Sequence, residues 1–185
     1  ALPSEDLEVS KEIARAYTKL GIDILTSTTV ESVTDHGDRV TVVYSSGDQQ
    51  TSVDVDRVLV SVGFAPNVEG IGLEAAGVSL DGRGAIEIDE RMRTTVPHIF
   101  AIGDVTMKLQ LAHVAEAQGV VAAETIGGAP TMELGDYRMM PRAVFSQPQV
   151  SSFGLTEAEA ASDGHQVTVV KFPFSANGKA HGLGE

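Results

Sequence analysis

The chain has 185 residues, 42% of them apolar, enough for a core in one large domain or two modest ones. Its formal charge of −13 argues against nucleic acid or an anionic membrane as the main partner, since those surfaces attract basic patches. The complete lack of cysteine excludes a disulfide framework, a thiolate nucleophile and a cysteine metal site within these residues.

None of the five histidines forms an H-x-x-x-H pair, so no metal site is assigned. No apolar run reaches membrane-span length and no signal peptide opens the chain, which makes the cytoplasm the expected location. The glycine-rich end, residues 176–185, and an opening helix with no strand before it read as the two ends of an internal fragment.

Ser4 is an N-cap candidate, followed by Val9, Ile13, Ala16, Tyr17 and Leu20 at helical spacing and then Gly21. The pattern predicts one amphipathic helix of about four turns. Residues 22–25 read as a short strand, suggesting the end of a βαβ unit whose glycine-rich turn lies upstream. Residues 29–34, 39–44 and 50–55 are β-rich runs joined by polar turns, an antiparallel meander. Residues 58–63 form a continuous apolar run ending in glycine, the pattern of a strand buried on both faces.

Glycine-rich residues 68–84 read as a crossing with one short helical piece around Leu73. Residues 85–89 and 99–102 read as strands. The second stops at Gly103-Asp104, where a strand end in an open α/β sheet commonly meets a ligand. A helix of small residues follows from 109 to 126, ended by Gly127-Gly128, and its lack of bulk allows something flat to lie against its first turns. Past a composition shift at 130–138, residues 143–146 and 167–174 read as strands. Between them, Thr156-Glu157-Ala158-Glu159 is a capping box. The expected divisions fall near 67 and 131, giving segments 1–67, 68–130 and 131–185, in a mixed α/β and α+β fold.

Gly63 lacks a side chain and lets a nucleotide approach the backbone, although a strand end with a turn explains it equally well. Asp104 offers a carboxylate to hydroxyl groups, or serves as a turn residue. The helix after Leu109 favours the first reading, because its unpaired N–H groups suit an electron-rich part of a ligand. His113, a lone histidine at a helix start, reads as a structural or backbone-contact residue rather than a general base. Glu116 and Glu124 read as solvent-facing, and Met139, Met140, Phe172 and Phe174 as core or interface packing. No catalytic residue is assigned.

Val62-Gly63-Phe64-Ala65-Pro66-Asn67, Thr95-Val96-Pro97-His98-Ile99-Phe100-Ala101-Ile102-Gly103-Asp104, Leu111-Ala112-His113-Val114-Ala115-Glu116-Ala117-Gln118-Gly119 and Pro141-Arg142-Ala143-Val144-Phe145, in this order, resemble the flavoprotein disulfide reductases. The likeness runs over essentially the whole chain and is greatest to the actinobacterial, dihydrolipoamide-oxidising branch. It implies a partial Rossmann-like NAD domain with an antiparallel meander, a central FAD-contacting domain and the start of an α+β dimerisation domain. The redox cysteines would precede Ala1 and the catalytic histidine would follow Glu185.

The resemblance implies FAD and NAD as cofactors. Asp104 would bind the ribityl chain of FAD, and Gln110, Leu111, Ala112 and His113 would lie against the isoalloxazine ring. Gly63 would touch NAD, with Val30 near the adenine. Phe64 stands where many members have arginine, and Gln110 where methionine is common. The implied partners are a second copy of the chain and the lipoyl-bearing acyltransferase of 2-oxo acid dehydrogenase complexes. The implied reaction is oxidation of dihydrolipoamide through a redox disulfide and FAD, with hydride passing to NAD+. A glutathione- or mercuric-reductase-like activity, or a cofactor-free dimerisation or binding module, stays open. The 185 residues alone are expected to be inactive.

Overall fold

The computed structural model describes residues 2–184. Helix α1 spans Leu7–Lys19 and buries Ile13 and Ser10. The helix begins after Asp6, not Ser4, and Asp6 does not cap it with its side chain. Its carboxylate instead accepts the backbone N–H of Glu157 at 2.9 Å. The far end closes as the apolar pattern predicts. Gly21 takes a φ of +81°, and the N–H groups of Gly21 and Ile22 return to Thr18 and Tyr17.

Strands β1 (Thr29–Asp35), β2 (Val40–Ser46) and β3 (Gln49–Val55) form the expected antiparallel meander with β2 in the middle. Ser46 pairs with Gln49, so only Gly47 and Asp48 make the turn, and Gly47 sits at φ +58° as a tight hairpin requires. A bulge interrupts the β1 ladder between Val30 and Ser32.

The expected strand at 22–25 and the doubly buried strand at 58–63 are not strands here. Leu59 is 90% exposed and Val62 93% exposed, the reverse of burial. Strand character depends on a neighbour that takes up N–H and C=O groups, and among the described residues none runs beside either segment. Residues 167–174 fail as a strand for the same reason, with Val170 and Phe172 exposed. Residues 85–89 and 99–102 reduce to single bridges, Leu80 with Ile86 and Arg93 with Phe100.

Those two segments nevertheless build the core. Val78, Ile86 and Ala101 form one buried cluster beside the short helix α2 (Leu73–Ala76), with Leu73 packed against it. Met92, Val121 and Ala122 form the other, joined by Ile88 and Phe100. Met92 is fully buried with φ +65°, and its backbone C=O accepts the N–H of Ala101.

Helix α3 spans Ala112–Gly127, starting three residues later than the run of small residues suggests. Beyond it come β4 (Arg142–Val144) and β5 (Val150–Ser152), paired antiparallel, with a cis Gln147–Pro148 bond between them. Helix α4 (Glu157–Ser162) opens on the predicted capping box: the Thr156 hydroxyl takes the Glu159 N–H, and the Glu159 carboxylate takes the Thr156 N–H. The glycine-rich end contains a further helix, α5 (Gly178–Leu183), capped by Asn177, which the composition concealed. Met139, Phe172 and Phe174 are exposed rather than packed in a core.

Candidate functional site

The segment before Gly103 and helix α3 lie against each other because both contribute small groups. A Cβ placed on Gly119 would meet Ile102 Cδ1 at 3.6 Å, and one on Gly103 would meet Ala115 Cβ at 3.6 Å. The small-residue helix is therefore a device for close approach, as its composition indicates. Gly103 turns the chain at φ +75°, a conformation that disfavours side chains, into a single 3-10 turn over Gly103–Thr106. Met107, at φ +48°, ends that turn, and residues 108–111 lead into α3.

Asp104 projects from this turn and is exposed. Among the described residues its carboxylate has no hydrogen bond or ion pair. Leu111 precedes the first turn of α3 with an extended backbone, and no side chain caps that end. The start of α3 thus presents backbone N–H groups at the positive end of a 16-residue helix. Gln110 is half-buried, its amide donating to Met107 Sδ at 3.0 Å. His113 is exposed on the same first turn and donates its Nε2–H to the Pro141 carbonyl at 2.8 Å. That bond ties the first turn of α3 to the residue before β4.

Below the turn lies a network that sequence reasoning missed. Gln118 is 1% exposed. Its Oε1 accepts the Gly103 N–H at 2.6 Å, and its Nε2 donates to the Tyr137 hydroxyl at 2.9 Å. Thr106 donates its hydroxyl to the Gly103 carbonyl at 2.8 Å. Burial pushes the Tyr137 phenol upward, opposed by the hydrogen bond from Gln118. One signal was available in the sequence: Gln118 interrupts the apolar stripe of Val114, Val121 and Ala122 at helical spacing.

The other two predicted contacts lie elsewhere. Gly63 is exposed at φ +138°, with open space where a side chain would be. Val30 is 59% exposed beside the β1 bulge, opposite Tyr44. Asp104 thus lies on the 3-10 turn that packs against α3, Gln110 and Leu111 in the segment leading into that helix and Ala112 and His113 in its first turn, with Gly63 and Val30 on separate parts of the chain. No group of histidine and acidic side chains suited to a metal occurs among the described residues. No helix among them is long and apolar enough to cross a membrane.

A glycine turn, an exposed aspartate and a helix of small residues without a side-chain cap at its start make up the candidate site. The chain belongs to the pyridine nucleotide-disulphide oxidoreductase family: residues 1–119 match that family and residues 140–185 match its dimerisation domain. It is 60% identical over 185 residues to the dihydrolipoyl dehydrogenase of Mycobacterium leprae, covering all of this chain and 40% of that protein. It is 61% identical over 188 residues to the dihydrolipoyl dehydrogenase of Corynebacterium glutamicum, with the same coverage. The chain thus spans 40% of the length of these relatives.

Among solved structures, the fold is similar to the HOCl-induced flavoprotein disulfide reductase RclA from Escherichia coli. The TM-score is 0.84 at 31% identity over 98% of this chain and 41% of that one. It is also similar to LpdA from Mycobacterium tuberculosis, with a TM-score of 0.87 at 26% identity over 99% of this chain and 39% of that one.

Proposed function

We propose that this chain is the middle portion of a dihydrolipoyl dehydrogenase, which oxidises dihydrolipoamide to lipoamide and reduces NAD+ to NADH with release of a proton. The observation that carries the reading is the exposed carboxylate of Asp104, without a partner among the described residues, on the 3-10 turn that packs against α3. The hydroxyl groups of a ribityl chain are donors, and an exposed carboxylate without a partner is a fitting acceptor. The N–H groups at the start of α3 suit the electron-rich N1/O2 edge of a flavin. When bound, FAD supplies the electron relay between a dithiol and the nicotinamide; these residues supply binding and orientation.

In this reading Gln110, Leu111, Ala112 and His113 line the flavin edge, with the Gln110 side chain turned toward Met107. Gly63 takes the nicotinamide nucleotide against its bare backbone, and Val30 lies near the adenine. Segment 1–67 belongs to the NAD domain, 68–130 to the flavin-contacting part and 131–185 to the dimerisation domain, so the working protein is a homodimer. Its macromolecular partner is the lipoyl-bearing acyltransferase of 2-oxo acid dehydrogenase complexes, and its site of action the cytoplasm. The identity to dihydrolipoyl dehydrogenases favours this substrate over glutathione or mercuric ion.

The test compares the 185-residue chain with the full-length protein. The short chain is expected to show no dihydrolipoamide oxidation, because it has no cysteine pair whose disulfide could accept the two electrons of the substrate, and little or no visible flavin absorbance. The full-length protein is expected to be yellow and to reduce NAD+ with dihydrolipoamide. Turnover by the short chain, or a colourless and inactive full-length protein, would sink the proposal.

A further inference from the structure

The backbone N–H and C=O of Gly103 are unusual in their partners. In a regular strand both would enter a ladder; here the N–H goes to Gln118 Oε1 and the C=O takes the Thr106 hydroxyl. The conformation at φ +75° is outside the strand and helix regions, so side chains complete what secondary structure does not. Gln118 closes the arrangement by donating Nε2–H to Tyr137 at 2.9 Å and, at 3.5 Å, to Thr106. Its amide orientation follows from these partners, since the oxygen must face the N–H and the nitrogen the hydroxyls. The neighbours on its helix face, Val114, Val121 and Ala122, are apolar and buried. A leucine of similar size would suit that face and would leave the Gly103 N–H without an acceptor.

From this network we infer that Gln118 is the positioning residue of the flavin-binding turn. It holds the Ile102–Gly103 peptide through the Gly103 N–H and reaches the Thr106 hydroxyl that holds the Gly103 carbonyl, and so sets the course of the backbone into Asp104. Through Tyr137 it also ties that turn to the segment leading into β4. The inference rests on the reading of Asp104 as a ligand of FAD and adds to it the residue that holds Asp104 in place. Gln118 touches neither cofactor nor substrate.

The experiment measures FAD affinity by titrating the full-length apoenzyme, with Asp104→Ala, Gln118→Leu and Gln118→Glu prepared in parallel. Gln118→Leu is expected to weaken FAD binding about tenfold, from one lost buried hydrogen bond and one orphaned N–H. Gln118→Glu keeps an acceptor for Gly103 and faces the Tyr137 hydroxyl, so it is expected to bind FAD within about threefold of the parent. Weakened Asp104→Ala with unchanged Gln118→Leu overturns the inference and leaves the reading of Asp104 standing. Unchanged Asp104→Ala overturns both. Equal losses in the leucine and glutamate variants also overturn the inference, since packing alone would then explain them. If Gln118→Leu fails to fold, Thr106→Val decides by the same titration: weaker binding supports the inference and unchanged binding overturns it.

Discussion

The Asp6 carboxylate accepts the Glu157 N–H at 2.9 Å although 151 residues separate the two. An acidic residue at the start of one helix thus satisfies the first N–H of another. Its neighbours repeat the connection. Glu5, with its side chain only 4% exposed, pairs with Arg142 at 3.5 Å, and Glu8 pairs with Lys171 at 2.7 Å. Asp6→Ala is expected to cost about 1 kcal/mol, the usual loss for a helix-end hydrogen bond, and to speed hydrogen exchange at the Glu157 amide. An unchanged Glu157 exchange rate would show that the contact is absent in solution.

Glu5→Gln removes the carboxylate that pairs with the largely buried Arg142. Among the described residues Arg142 then keeps Ser152 Oγ at 3.2 Å, the Gly154 carbonyl at 3.4 Å and a weaker attraction to the Glu159 carboxylate. The expected loss is about 3 kcal/mol, larger than for Asp6→Ala because an unpaired charge stays out of water. Glu8→Gln breaks an exposed pair and is expected to cost less than about 1 kcal/mol. Denaturant titration of the three variants tests the ranking, and a Glu8 variant as damaged as the Glu5 variant would contradict it.

Gly103→Ala introduces a side chain at φ +75°. The nearest atom is Ala115 Cβ at 3.6 Å, ordinary contact, so the penalty is conformational rather than steric. About 1–2 kcal/mol of stability is expected to be lost. Met92→Ala removes a fully buried side chain between Val121 and Ala122 and is expected to cost about 3 kcal/mol. Thermal melts give both numbers, and a Met92 variant as stable as the parent would remove that side chain from the core.

Acid is expected to weaken the fold through carboxylates held below their usual range. Glu159 is lowered mainly by the Thr156 backbone N–H, Asp136 by the Arg138 side chain, and Asp81 by the Ala85 backbone N–H. Each favours its charged form more in the folded chain than in the unfolded one. Their stabilisation is therefore complete above the unfolded carboxylate value of about 4 and drains away as pH falls through the lower folded values. Melting temperature is expected to fall between about pH 5 and pH 2, with Glu159→Gln less sensitive than the parent. A parent melting temperature that stays level across that range would refute the assignment.

Periodicity and turn chemistry made α1, the meander and α4 legible, because those elements satisfy their own hydrogen bonds locally. The runs at 22–25, 58–63 and 167–174 have equally strong apolar patterns, yet they lack ladder partners among the described residues. Hydrophobic sequence predicts a wish for burial; it does not provide the neighbour. At the candidate site, Asp104 and the start of α3 stood out because both carry groups that ordinary packing leaves unused. Gln118 escaped because a single polar residue in a helix says nothing about which distant N–H it serves.

The contacts of Glu5, Asp6 and Glu8 also set an order of events. Residues 6 and 157 enter the chain far apart during synthesis, so α1 finishes long before its binding surface exists. At roughly 5–20 residues per second, the opening helix waits on the order of ten seconds for Glu157 and longer for Lys171. During that interval three carboxylates have no protein partner, and closing so large a loop is entropically the costly step. The contacts of Glu5, Asp6 and Glu8 with residues 142, 157 and 171 should therefore be among the last to form during folding and the first to separate when unfolding begins.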